Sequence, residues 1–547
     1  MRNRGHVSEC LFFFFFFLFF SFRLWKFQQS HRSGLEATAG LRRWEIGDIA
    51  SHIGQVYYQY YLRTAERSYL AESAVFYDAV QQRKYFQELT NSSSIDDWRR
   101  LLRYYARFVM VGLLQQHYDK VSSVSSDLHK WVQQYVSNLS PPDAQEWLAV
   151  VRELRVFCHA VLPASPVCVI LPGELAANRP PAGEVVPPVV LQQCVLVGCQ
   201  THQIKFSELT LDFLRMMRAV ERRESSVEAS PSGRANLASS TQSISLGVLS
   251  PAASGVSSLR TNPTKHLLYR PSLGSVSTHL HGTVKELTGN GAMLVYISAD
   301  AYLGKGADPL WSGGALMCGT TPAATQSKNA SSSFPPLDAS ANALCPGDLV
   351  PLTRHPLLLI CEGDCSVQFG ALSSPFGAPF VSLLAPEKYP PGMERTRSVV
   401  SPTFVMDQGF GAANDGASDC FGNLFTLFLT DAVTALVRLG KVASAGWSEQ
   451  KAAKCKEVVT ACLEFSTAAL QRMPAPWGSF CADLFSGLFI AKFALCVAVF
   501  SRHKNIPRSS QYVPSSSPPL PIEALPSAAL FKAMLVEFGI EASFDEM

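Results

Sequence analysis

From Trp44 onward, apolar residues recur at intervals of three and four. Ile46, Ile49, Ile53, Val56, Tyr57 and Tyr60 fall on one helical face, interrupted only by Gly47 and Gly54. The same period returns near 69–82, 95–116 and 121–137. After Ser140-Pro141-Pro142-Asp143, which stops one helix and caps the next, it returns once more near 144–162. Five amphipathic helices joined by short connections predict antiparallel neighbours, as in a helical bundle or a repeat-like array. The ~34-residue period of tetratricopeptide hairpins does not come back clearly, so a repeat family does not follow.

At Pro166 the pattern changes. Short β-branched runs at 167–171 and 189–197 flank a Pro/Gly-rich stretch and predict strands. Residues 206–222 return to helical spacing, with Ser207 placed to cap and Leu209, Phe213, Met216, Met217 and Val220 on one face. Residues 223–264 are serine-rich, too poor in apolar side chains to offset the entropy of ordering, and predict a linker. Beyond them, continuous apolar runs at 292–297, 357–361 and 380–384 have the form of strands buried on both faces of a parallel sheet. Helical stretches at 276–287 and 422–440 intervene, and polar loops at 302–346 and 387–420 interrupt the pattern. Helices near 448–472 and 478–502 follow. The second is apolar enough to raise a membrane span, but Lys492 at its centre favours a buried core helix.

The fold class expected is α plus α/β: an N-terminal helical bundle or repeat-like domain, then an α/β domain with a mainly parallel sheet and additional C-terminal helices. The boundaries drawn are an extension at 1–40, a helical domain at 41–165, strands and an amphipathic helix at 166–222, the linker at 223–264, the α/β domain at 265–502 and a Pro/Ser-rich tail at 503–547 that ends in a short helix.

Charge changes the picture chiefly at the start of the chain. The formal net charge of the 547 residues is +3, and Arg2, Arg4, Arg23 and Lys26 against Glu9 account for all of it. Near-neutrality with 17% charged residues excludes a basic nucleic-acid clamp and a highly charged disordered chain. The same leader holds LFFFFFFLFFSF at 11–22, the outline of a secretory signal, too short to span a bilayer. Near-pure phenylalanine is also what a pyrimidine-rich intron end encodes when translated, so residues 1–35 are expected to be a gene-model artefact. The fourteen cysteines are scattered without a C-x-x-C pair, which points to a reducing compartment.

Candidate chemistry is sparse. There is no G-x-x-x-x-G-K-[ST], G-x-S-x-G or H-E-x-x-H motif. A thiol hydrolase using Cys365, at a strand end, and His281 is the sharpest enzymatic alternative; an incidental thiol in a turn is the blander one and is preferred. Asp300 and Asp364 would stand at the C-terminal ends of parallel strands, where open α/β sheets bind ligands. No metal or cofactor is implied. Arg99, Arg100, Arg103 and Arg107 read as a solvated ion-pair face beside Asp96 and Asp97 rather than as phosphate contacts. Tyr57, Tyr58, Tyr61, Arg63, Arg67, Tyr77 and Arg83 are candidates for a peptide-binding groove, since Tyr and Arg are enriched in hot spots. Packing of these tyrosines between helices is the competing reading.

The block WEIGDIASHIGQVYYQYYLRTAERSYLAESAVFYDAVQQRKYF at 44–86 closely resembles the SCAI family, the suppressor of cancer cell invasion proteins. LLRYYARF, KFSELTLDFLRMMRAVER, KHLLYRP, PGDLVPLTRHPLLLI, FGAPFVSLLAP and NLFTLFL follow in the same order, so the resemblance covers most of 44–500. It implies a non-enzymatic nuclear corepressor that binds myocardin-related transcription factors with serum response factor downstream of Rho, with a link to DNA double-strand-break repair. Partners would be these transcription factors or chromatin repair factors, with no direct sequence-specific nucleic-acid binding and no membrane. The chain departs from the family at its phenylalanine-rich start and in the expanded segments 223–262, 305–345 and 387–420.

Overall fold

The computed structural model describes residues 42–545 except 88–93, 162–169, 171–187, 223–261, 305–306, 318–341, 391–420, 443–446 and positions 65, 202 and 208; before residue 42 it describes only isolated positions. The leader run at 11–22 and most of the strand expected at 167–171 lie outside the described residues.

Five helices open the described chain: α1 (Arg43–Thr64), α2 (Arg67–Gln82), α3 (Ile95–Gln115), α4 (Tyr118–Leu139) and α5 (Ala144–Val161). Their starts follow the sequence logic. Ser94 and Asp97 form a reciprocal capping box at α3. At α5 the carbonyl of Asp143 accepts from Glu146 and Trp147, while its carboxylate gathers Arg99 Nε (2.9 Å), Tyr135 Oη (2.8 Å) and Trp147 Nε1 (3.2 Å). Arg100 lies over the Trp44 ring at 5.1 Å and 3.8 Å from Asp48, so Arg99 and Arg100 serve ion pairs between helices.

Strand β1 (Val190–Gly198) leads into a two-residue hairpin, β2 (Lys205–Phe206) and β3 (Leu209–Thr210), and then α6 (Leu211–Ala219). The helix expected from 206 therefore starts five residues late. Ser207 has a φ of +54° in the hairpin turn, incompatible with a helical start, and Thr210 caps instead, accepting from Phe213 N at 3.1 Å.

The main sheet continues with β4 (Thr264–Tyr269), helix α7 (Leu273–Val284) and β5 (Gly291–Ser298). Three short strands, β6 (Ala301–Leu303), β7 (Gly313–Leu316) and β8 (Ala343–Leu344), form a separate antiparallel sheet inside what reads as a loop in the sequence. After α8 (Pro346–Leu349) come β9 (Leu357–Glu362) and β10 (Phe380–Leu384). The next helical run splits into α9 (Leu424–Thr430) and α10 (Ala432–Leu439) because Asp431 leaves helical geometry and caps α10. Then follow α11 (Glu449–Gln471), α12 (Trp477–Cys481), α13 (Leu484–Arg502), β11 (Ser515–Ser517) and α14 (Ala528–Phe538).

The sheet runs β11-β10-β9-β5-β1-β4, parallel throughout except for β11 at the edge. Among the parallel strands this is the doubly wound order 2-1-3-4-5, in which the chain reverses direction across the sheet between β1 and β5. Both sides of the 223–264 segment contribute strands, β1 before it and the rest at or after its end, and the C-terminal tail adds β11.

Alternation along the buried strands divides two cores. Val195, Val197, Met293, Val295, Ile297, Leu357, Leu359 and Cys361 face α7 and the turns around Leu349 and Leu352. Cys194, Leu196, Leu294, Tyr296, Leu358 and Ile360 face a core that runs without a break from Trp44 to Phe544 and takes in both the N-terminal and the C-terminal helices. Helix α13 is long and apolar enough to cross a bilayer, but 83% of its apolar window is buried within the fold. Its Lys492, 2% exposed, donates to the carbonyl of Thr430 at 2.7 Å.

Candidate functional site

The aromatic positions proposed for a groove are mostly interior. Tyr58, Tyr61 and Tyr77 are 7%, 1% and 0% exposed, and Tyr57 is half-buried, stacked on Phe76 at 5.7 Å. Tyr77 packs against Tyr104 and Phe108, and burial raises its phenol well above the tyrosine range. Arg83 is exposed and reaches the Tyr85 hydroxyl at 3.1 Å. Arg63 lies in α1, with its side chain outside the described atoms. Helix packing rather than a surface groove accounts for Tyr58, Tyr61 and Tyr77: three- and four-residue spacing on two paired helices turns one tyrosine face inward.

The aromatic face leads instead to a buried polar junction. Tyr61 donates to the Glu221 carboxylate, Lys265 Nζ on β4 meets the same oxygen at 2.9 Å, and Arg67 approaches the other oxygen at 3.4 Å. Glu221 and Lys265 are 3% and 2% exposed, so this charge pair is desolvated and held by its hydrogen bonds. Burial, then the neighbouring Glu221, raises the Tyr61 phenol well above its ordinary range. The junction ties α1 and α2 to the β4 edge of the sheet.

At the C-terminal ends of the strands, Asp300 accepts from the backbone N of Thr201 at 2.9 Å and from its hydroxyl. These residues follow β5 and β1, so the pair closes the point where the sheet reverses. Asp364 is exposed. Glu362, fully buried at the end of β9, accepts from Thr426 Oγ1 at 3.3 Å and Tyr389 Oη at 3.4 Å. Cys365 is fully buried in the core beneath α7, its sulfur near the Glu362 carbonyl at 3.9 Å, whereas the exposed His281 turns its ring back to the Ser277 carbonyl at 2.8 Å. The two groups proposed as nucleophile and base thus engage separate backbone carbonyls. Burial pushes the Cys361 and Cys496 thiols well above the usual range and Cys194 up to about 12.

A cavity of about 70 Å³ lies where the α3–α4 turn, the end of α5, α6, the α9–α10 break and α13 converge. Arg215, Arg218, Lys492 and Asp431 are the charged residues of its described lining. Arg215 is 7% exposed and donates Nη2 to the Ala160 carbonyl at 3.0 Å. Arg218 donates to the Leu113 carbonyl and lies over the Tyr118 ring at 5.7 Å. The carboxylate of Asp431 is engaged by Thr434 N (3.1 Å) and Thr434 Oγ1 (2.6 Å) at the start of α10.

Of these interior charges only Lys492 stands out in the sequence, as a lone cation in an apolar run. Arg215 and Asp212 sit in a helix whose described residues from Leu211 to Met217 are all buried, so an amphipathic reading puts them on the wrong side. Glu221 and Lys265 meet across the unreadable 223–264 segment, and no local pattern links them.

The family model described as Protein SCAI matches residues 8–506. Protein SCAI of Mus musculus is 33% identical over 520 residues, covering 91% of this chain and 78% of the relative. Protein SCAI of Homo sapiens is 32% identical over the same span and coverage. The Protein SCAI homolog of Dictyostelium discoideum is 27% identical over 683 residues, covering 94% and 84%. No solved structure matches the chain.

Proposed function

The chain belongs to the SCAI family, and from that premise we propose that it is a nuclear, protein-binding transcriptional corepressor. It would bind myocardin-related transcription factors with serum response factor and silence them downstream of Rho, with a second role in DNA double-strand-break repair through chromatin-bound factors. The observation that carries this reading is the family match across nearly the whole chain. Physical properties agree with it: outside the leader the formal charge is balanced, which suits a protein that reaches DNA through partners. The mechanism is occlusion or ternary-complex formation, in which the bound corepressor holds an activator on its site in a silent state.

Surface chemistry gives such a partner something to grip. Leu303, at the end of β6, and Trp311, in the turn before β7, are 74% and 52% exposed, and the Gly304 amide donates to the Ser312 carbonyl at 2.7 Å. An exposed tryptophan is a residue type that anchors protein interfaces. The thiol-hydrolase alternative gains nothing from Cys365, whose sulfur is buried. Proximity labelling by the full chain in living cells tests the proposal. Enrichment of myocardin-related factors or serum response factor in the nuclear fraction is expected, and exclusive labelling of secretory or membrane proteins would overturn it.

A further inference from the structure

The carboxylate of Asp143 clamps the starts of α3 and α5 together, and past the clamp the two helices leave a cleft of about 530 Å³, within the ~300–1,000 Å³ of ligand-binding clefts. Both helices pack on α4 and are joined to it by short turns, so they run in the same direction. Arg99 and Arg103 line one wall, and Asp143, Glu146, Trp147 and Val150 line the other. The walls are fixed by their own contacts. Arg99 gives Nε to Asp143 and Nη1 to Asp96 at 3.3 Å, and the Trp147 ring is held by its Nε1 on Asp143 at 3.2 Å. These bonds occupy Arg99 and Asp143. Arg103 and Glu146 are exposed, and neither forms an ion pair with a described residue. At ~1.5 Å per residue, Arg103 stands ~6 Å past Arg99 and Glu146 ~4.5 Å past Asp143, so a cation and an anion look into the cleft at one level from opposite walls. The half-buried Trp147 and Val150, three residues apart on α5, supply its apolar strip.

We propose that this cleft docks one amphipathic helix of a partner protein, its apolar ridge on Trp147 and Val150, an acidic flank toward Arg103 and a basic flank toward Glu146. The proposal rests on the protein-binding part of the corepressor reading and assigns it a surface. Lining residues recur one turn apart on both walls, at 99 and 103 and at 143, 146–147 and 150. That spacing matches the i, i+3, i+4 and i+7 anchors of a helix laid in a groove, not the two-residue period of an extended strand. An apolar ridge between oppositely charged flanks is also how paired helices choose partners and orientation. A partner of one sign, single-stranded nucleic acid included, would meet a repelling wall at Arg103 or at Glu146.

The test titrates the full chain against three fluorescent synthetic helices that share one leucine ridge, read by anisotropy. One carries Glu on one flank and Lys on the other, the second Glu on both, the third Lys on both; a labelled oligothymidylate is the fourth probe. Wild type is expected to prefer the mixed helix, with affinity lowered about tenfold or more by Trp147→Ala and unchanged by the surface control Lys454→Ser. Arg103→Glu makes both walls acidic and should shift preference about fivefold toward the Lys-flanked helix; Glu146→Arg should shift it as far toward the Glu-flanked one. Both charge variants change exposed side chains, so they keep the proposal testable if Trp147→Ala does not fold. The same order of preference in wild type, Arg103→Glu and Glu146→Arg overturns the proposal, as does binding of none of the helices, or of the oligothymidylate alone. Repression of a serum-response reporter by the Arg103→Glu and Trp147→Ala chains is measured in parallel. Full repression beside absent helix binding would sink the cleft and spare the corepressor reading, whereas charge-matched binding without repression by wild type would do the reverse.

Discussion

Tyr61 donates its phenolic hydrogen to Glu221, 160 residues further along the chain, and Lys265 closes on the same carboxylate oxygen at 2.9 Å. Three distant stretches meet there, namely the first helix, the segment just past the end of α6 and the edge strand β4. None is stable in that arrangement alone, since each would leave a buried polar group without its partner.

Removing the carboxylate is therefore expected to cost more than removing the phenol. Glu221→Ala leaves the 2%-exposed Lys265 uncompensated and should destabilise the chain by ~3–5 kcal/mol, whereas Tyr61→Phe should cost about 1–3 kcal/mol. Joint replacement by Glu221→Leu and Lys265→Met should recover part of the loss. Chemical denaturation of the wild type, these variants and the singles Glu221→Leu and Lys265→Met checks this; additive losses in the double variant would mean that the pair is not coupled.

Acid should weaken the fold before its carboxylates titrate. His503 is 4% exposed, its Nδ1 accepts from the Asn505 amide at 3.2 Å, and burial lowers its pKa below the ordinary value of 6.5. Burial lowers His129, His159 and His266 in the same sense. A depressed histidine makes no difference above pH ~6.5, where folded and unfolded chains are both neutral. As pH falls below that, the unfolded chain binds protons the folded one refuses, and stability is lost. Unfolding free energy measured from pH 7.5 down to 5 should fall, and His503→Phe should flatten the slope. The exposed His52, raised by its hydrogen bond to Asp48, opposes the trend.

Thiol chemistry separates the binding reading from the enzymatic one. Of the ten described cysteines only Cys199 is not buried. Under native conditions a maleimide should modify Cys199 well before Cys361, Cys365, Cys481 or Cys496, read peptide by peptide by mass spectrometry. Rapid selective labelling of Cys365 that is lost in His281→Ala would instead support a thiol hydrolase.

What the sequence discloses here follows the range of the interactions involved. The five N-terminal helices and strands β5, β9 and β10 are legible because period and apolar runs are local, and Asp143 marks the start of the fifth helix. Breaks imposed by side-chain caps are not: Asp431 and Asp483 each divide a run that keeps its apolar composition. The interior charges are the least legible. Glu221 with Lys265, and Arg215 with its neighbours, acquire meaning only when helices from opposite ends of the chain close over the sheet. Tyr58, Tyr61 and Tyr77 show the converse, since a face rich in hot-spot residues is also what a helix pair uses for packing.

Corepression is tested most directly by transcription itself. A serum-response reporter, activated through Rho in cells from which the endogenous family member has been removed, is measured with and without the full chain. Dose-dependent loss of reporter output, with recovery of a myocardin-related factor alongside the chain, is the predicted result. Undiminished output from cells in which the chain is abundant, folded and nuclear would contradict it.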